Sequence, residues 1–144
     1  MYGAGNYCAD EPEKIDQYTR PDKGRRGMEE LHSLLYPTGG NTHPGQDIFY
    51  CFLVRVACGA CFQSQGLDRD RLKDAATGTE VYMTDERREL SRILGSSPSI
   101  SYHTLVMHTS STKTGGHVER FREIVLFDGN RIYPEYLLAY RRLK

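Results

Sequence analysis

The sequence predicts an α+β fold built mostly on antiparallel sheets with a few helices. Three observations carry this. Short runs rich in β-branched and aromatic residues, "FYCFLVRV" and "EIVLF" above all, are bounded by turn chemistry. Two stretches, "GMEELHSLLY" and "TDERRELSRILG", space their apolar residues as helices do. The strands and helices do not follow the regular βαβ alternation that a parallel sheet needs. At 144 residues the chain can bury a real core and reads as one domain over 1–144.

Taken in order, residues 1–9 read as a glycine turn entering a short extended segment. Asp10 or Glu11 can cap a short helix with Pro12 in its first turn, Lys14–Tyr18 as its body and Pro21 as its stop. A second helix is expected around Met28, Leu31, Leu34 and Leu35, followed by a loop over Pro37–Gln46. Asp47–Ala57 reads as a strand buried on both faces for most of its length. "LDRDRLKDAATGTE" is polar and irregular. The next stretch predicts a helix with Thr84 as cap, Leu90, Ile93 and Leu94 as the buried stripe and Gly95 as stop. "SISYHTLVMH" favours a strand and "SSTKTGGH" a loop. "RFREIVLFDG" and "RIYPEYLLAYRR" read as two further strands, and the "FDGN" junction between them suits a hairpin-like connection.

Composition narrows the function. Nineteen basic residues balance nineteen acidic ones, so net charge argues for neither nucleic-acid nor membrane binding. The longest purely apolar run, Ile48–Val54, is far below the roughly 20 residues of a membrane span. No signal peptide is visible, and an intracellular setting, nuclear or cytoplasmic, is expected. The four cysteines, Cys8, Cys51, Cys58 and Cys61, are too few for a disulfide scaffold and read as reduced thiols.

Individual motifs are weak when taken alone. "GAGNYCAD" is not a dinucleotide fingerprint, because the third glycine would fall at Cys8 and no strand leads in. "CGAC" supplies two of the four ligands a zinc site needs, with His43 and Cys51 as conceivable partners. A small metal module on Cys58 and Cys61 is therefore the weakest of three functional readings, behind packing cysteines at a strand end. The histidines at 32, 43, 103, 108 and 117 are scattered, with 43, 108 and 117 in or beside loops. No Gly-x-Ser-x-Gly elbow supports a hydrolase. Glu123 stands at the front of a strand whose next four residues are apolar, a costly place for a carboxylate without partners. By strand alternation, Arg122 cannot share its face.

Four blocks in order change the weight of these residues. "MYGAGNYCADEPEKIDQY" resembles the Phe-Gly-x-Gly-Ile-Tyr-Phe-Ala, Ser-Lys-Ser and Tyr stretch of poly(ADP-ribose) polymerase catalytic domains. "FYCFLVRVACG" resembles their central strand, and "SYHTLV" the element before the acceptor loop. "REIVLFDGNRIYPEYLLAY" is similar to the closing strands, with Tyr-Pro-Glu-Tyr-Leu as in tankyrase-like members. The resemblance implies an ADP-ribosyltransferase fold of two packed antiparallel sheets. It implies NAD as substrate, no metal, and transfer of ADP-ribose to a protein acceptor with release of nicotinamide. By motif, the catalytic glutamate falls on Glu123. The residues around NAD and its nicotinamide fall on Tyr7, Tyr18, Lys14 and Gly5. A glutamate at the Glu123 position permits chain elongation in this family.

The residue types suit that chemistry. Glycosidic cleavage develops positive charge on the ribose, which a carboxylate stabilises, while aromatic faces hold the planar nicotinamide. The chain also departs from the family pattern. Ile15 replaces a serine that bonds the carboxamide, and Cys8 and Asn6 replace an aromatic and an aliphatic residue. The resemblance spans the C-terminal half of the family domain, beyond the strands that carry its His-Gly pair. The expectation is a truncated domain that is inactive in isolation. The alternative is a non-catalytic remnant serving as an interaction or scaffold module.

Overall fold

The computed structural model describes residues 2–22, 27–37, 47–109 and 121–143. The chain is α+β, with six strands and two short helices among these residues. In order they are β1 (Asn6–Cys8), α1 (Pro12–Asp16), α2 (Glu29–Leu35), β2 (Phe49–Val56), β3 (Cys61–Ser64), β4 (Thr104–Met107), β5 (Glu123–Leu126) and β6 (Ile132–Tyr140). They fall into two compact units. The first comprises Met1–Ile15 with Arg55–Tyr133, and the second Asp16–Val54 with Pro134–Lys144.

The first unit is organised by a four-stranded sheet in the order β1-β5-β4-β3. The β1–β5 and β4–β5 pairs are antiparallel and β3–β4 is parallel. Opposed residues share a sheet face, so the register creates two side-chain rows. One row runs Tyr7, Val125, Leu105, Phe62 and the next runs Glu123, Met107, Ser64. Leu105, Val125 and Met107 have no solvent exposure and join Phe62, Leu67, Val81, Tyr82 and Leu90 in the core. Each such side chain contributes about 1.5–3 kcal/mol by burial. Thr104, Val106 and Leu126 on the opposite face are buried too, so the middle of the sheet is covered on both sides.

A parallel pair needs a long crossover. Here residues 65–103 supply it without a helix, contrary to the expected helix capped by Thr84. Arg87 adopts φ 52°, a left-handed conformation that interrupts a right-handed helix. The local N–H groups bond across the chain instead: Met83 to Glu89 O, Ser91 to Val81 O and Ile93 to Ile100 O. Leu90 is buried as expected, whereas Leu94 is 92% exposed and Ile93 only half-buried. The polar stretch from Leu67 is irregular, as predicted, with isolated bridges Leu67–Asp74 and Lys73–Glu80. It is held by a buried polar knot. Ser64 Oγ donates to Asp74 Oδ1 at 2.6 Å, and Thr77 donates to Asp74 Oδ2 through Oγ1 at 2.7 Å and N–H at 2.8 Å.

The second unit contains α2 and most of β2 and β6, which pair as a two-stranded sheet. Two expectations, the doubly buried strand and the hairpin, are corrected here. β2 is not buried on both faces, since Phe52 is 64% and Leu53 51% exposed. Among the described residues β6 is its one paired strand, so it is not a central strand flanked on both sides. The α2 stripe is not buried either, and Leu34 is 74% exposed. The "FDGN" junction is not a hairpin. Asp128 accepts the Asn130 N–H and starts a 3₁₀ turn over Gly129–Arg131, after which β6 pairs with β2 rather than β5.

Polar contacts compensate in this unit. His32 Nε2 lies 2.7 Å from the buried Asp22 Oδ2, which also accepts from the Tyr50 hydroxyl at 3.1 Å. Asp16 accepts from Tyr140 at 2.7 Å and from Arg142, whose guanidinium stacks 4.2 Å from the Phe49 ring centroid. Asp16 ends α1, shorter than the expected helix through Tyr18, and Thr19 bonds back to its carbonyl. The predicted loops over Pro37–Gln46 and "SSTKTGGH" lie outside the described residues apart from Pro37.

The Asp74 knot yields a stability prediction with a definite sign. Burial pushes the Asp74 carboxyl up, but hydrogen bonds from Ser64 and Thr77 outweigh it and hold the carboxyl below its usual range. A depressed carboxyl stabilises the fold above its unfolded value, near ~3.9, and loses that contribution as pH falls through the folded value. Asp74→Asn should cost about 2 kcal/mol at neutral pH. Urea denaturation across the acid range should show a shallower pH dependence for the variant than for the natural chain.

Candidate functional site

β1 is positioned by two glycines. Gly3 has φ 91°, and a Cβ there would stand 2.5 Å from Arg87 O, whose carbonyl accepts the Ala4 N–H at 3.1 Å. A Cβ on Gly5 would stand 2.7 Å from Val125 Cγ1 and 2.9 Å from Leu126 O. Both glycines thus serve the chain's own packing: they let β1 lie against β5 and Phe127. The turn is held by the neighbours it is pressed against. Tyr7 reinforces it by donating its hydroxyl to Gly3 O at 2.8 Å.

Tyr7 pairs with Val125, and Glu123 lies two residues along the same strand face. The tyrosine and the glutamate, from opposite ends of the sequence, are therefore diagonal neighbours on one face. Lys14 joins them from α1. Its Nζ lies 2.7 Å from Glu123 Oε1, with side-chain exposures of 17% and 16%. Arg122, on the other side of the strand, pairs with Asp10 and ties the start of β5 to the segment before α1. That hydrogen bond holds the Asp10 carboxyl below its usual range.

Tyr2 belongs to the same cluster and is passed over by a reading that starts at the glycines. Its ring packs on the core. Burial raises its phenol pKa first, and the Glu123 carboxylate raises it further, against lowering by Lys14 and Arg71. The signal in the sequence was an aromatic residue directly before Gly-x-Gly. Sequence spacing alone carries no hint that its phenol shares an electrostatic environment with a glutamate near the other terminus. The Tyr2 carbonyl accepts from the Tyr82 hydroxyl at 2.9 Å, which anchors this edge to the crossover.

Of the residues singled out from sequence, Gly5, Tyr7, Lys14 and Glu123 come together in the first unit. Tyr18 belongs to the second unit, with its ring 74% exposed. Ile15, half-buried beside Lys14 in the chain, offers no hydroxyl. Among the described residues, no group of three or more His, Cys, Asp or Glu is arranged to hold a metal ion. No described helix is long and apolar enough to cross a membrane. No protein-family model matches the chain, and no curated protein matches it.

The arrangement places a mostly buried carboxylate and ammonium beside two phenols next to the core, with Tyr7 on the exposed side. Such a carboxylate can stabilise developing positive charge or orient a hydroxyl. Lys14 is its counter-charge, and a mostly buried carboxylate stripped of its partner is strongly unfavourable. Lys14→Met should destabilise the chain by about 3 kcal/mol. Adding Glu123→Leu to that variant should restore most of the loss, as urea denaturation of the single and double variants will measure.

Proposed function

We propose that the chain is part of an NAD-dependent protein ADP-ribosyltransferase of the poly(ADP-ribose) polymerase type. The observation that carries the reading is the convergence of Tyr7, Lys14 and Glu123. The family resemblance assigned roles to these three residues from two blocks of sequence, Tyr7 and Lys14 in the first and Glu123 in the last, and β1, α1 and β5 bring them to one patch. The mostly antiparallel sheet suits the fold that the resemblance implies.

In this reading Glu123 is the catalytic residue. Its carboxylate sits by the ribose and stabilises the positive charge that grows as the ribose–nicotinamide bond breaks. The bonding pair leaves with nicotinamide, and an acceptor oxygen or carboxylate forms the new bond to the ribose carbon. Lys14 pairs with the carboxylate and orients it. The Tyr7 ring walls the nicotinamide. The protein acceptor is a further partner. Ile15 withholds a hydrogen bond from the carboxamide, which weakens binding of the donor.

Weak NAD binding and no turnover by the isolated chain follow from this reading. Added NAD should shift amide resonances at Tyr7, Lys14 and Glu123, and Glu123→Gln should alter that pattern. Radiolabelled NAD should leave the chain unlabelled. NAD that moves none of these resonances would remove the reading, and strong self-labelling lost in Glu123→Gln would overturn the expected inactivity.

A second reading, an interaction or scaffold module, is favoured by the exposed Phe52, Leu53, Tyr136 and Leu138 on β2 and β6. On that reading Phe52→Ser with Tyr136→Ser should abolish self-association or partner capture without changing NAD response. A chain that is monomeric and partnerless before and after the change speaks against it.

A further inference from the structure

Arg122 adjoins Glu123 in sequence but acts from the other side of β5. The β1–β5 register runs from Asn6↔Leu126 to Cys8↔Ile124. Continued by two residues, it sets Asp10 opposite Arg122, and those two side chains form an ion pair. The β4–β5 register, continued one residue past Met107↔Glu123, sets His108 opposite Arg122 as well. The His108 ring is engaged with Gln63, and the guanidinium turns to Asp10. Glu123 faces the opposite way and takes Lys14 Nζ at 2.7 Å. A single turn joins Asp10 to Lys14, with the Lys14 N–H donating to Glu11 O at 3.1 Å. The segment 10–14 thus bridges to both sides of the start of β5.

We propose that Asp10 and Arg122 are positioning residues for Glu123. α1 is five residues long and none of them is buried, so neither its own length nor apolar packing fixes it in place. The Asp10–Arg122 pair pins the chain just before α1, and α1 carries Lys14 from that pin to the carboxylate. The Arg122 and Asp10 side chains are 42% and 41% exposed, and so open a pair adds little stability of its own. Its effect is on where Lys14 stands, and through Lys14 on how the Glu123 carboxylate is turned. The functional weight of that orientation rests on the reading of Glu123 as the catalytic carboxylate, which must face the charge that develops on the ribose.

Nuclear Overhauser contacts in the chain without NAD test the link. The ε-methylene of Lys14 and the γ-methylene of Glu123 should share a cross-peak in the natural chain. Asp10→Asn and Arg122→Gln should each weaken it about two-fold or more, because an unpinned segment samples wider separations. Arg122→Lys, which keeps the charge, should keep the cross-peak. The amide shifts of β4 should stay in place throughout, which separates a moved Lys14 from a general loss of fold. A cross-peak missing from the natural chain, unchanged in Asp10→Asn, or lost as fully in Arg122→Lys as in Arg122→Gln would overturn the inference. Asp10 is exposed and outside the strands, so its variant carries the test even if the Arg122 variants do not fold. A natural chain whose resonances ignore NAD removes the catalytic reading and leaves this result standing.

Discussion

The pairing of β1 with β5 is the contact on which the first unit turns. β1 is three residues long and stands at the sheet edge. So short a strand has little affinity of its own, and it stays because β5 is locked against β4 over a core with no solvent exposure at Val125 and Leu105. The close approach is bought with side-chain volume, since Gly3 and Gly5 leave no room for a Cβ. Once β1 is in place, Tyr7 and Glu123 share a face by register alone, and α1 follows directly, delivering Lys14 to the carboxylate.

That delivery resolves a conflict. A glutamate beside Met107 and Val125 would be an electrostatic liability if unpaired. An arginine is adjacent in sequence, but strand alternation turns it away, and it pairs with Asp10 instead. The counter-charge has to come from another element, and the mostly dry Lys14–Glu123 pair is the result. A charge pair kept at the border of a core adds little net stability over an apolar substitute. The pair links the packing of β1 and α1 to the proposed role of Glu123.

The two units are stabilised by different means. The first has a contiguous apolar cluster reinforced by the Ser64–Asp74–Thr77 knot. The second leaves Phe52, Leu53 and Leu34 exposed and relies on the Asp22–His32–Tyr50 and Asp16–Tyr140–Arg142 groups. Side-chain polarity is an unreliable guide in such a unit. Apolar spacing correctly located α2 and β2, yet their stripes meet solvent, because spacing reports what an element could bury and not whether a neighbouring layer exists.

The sequence by itself determined the α+β class, the positions of β2, β5 and β6, the short α2 and the irregular run after Leu67. These follow from local propensity and turn chemistry, which act over a few residues. It also singled out Tyr7, Lys14 and Glu123, through a resemblance whose blocks are far apart in the chain. Tertiary structure alone decided the rest. The helix expected after Thr84 gave way because Arg87 left the helical region and its neighbours found cross-chain carbonyls. β6 turned from β5 to β2 because Asp128 and Asn130 closed a 3₁₀ turn rather than a hairpin. Tyr2 entered the Glu123 cluster because β1 was carried across the sheet to β5. Each of these outcomes depends on partners far away in sequence, and no local pattern encodes which partner wins.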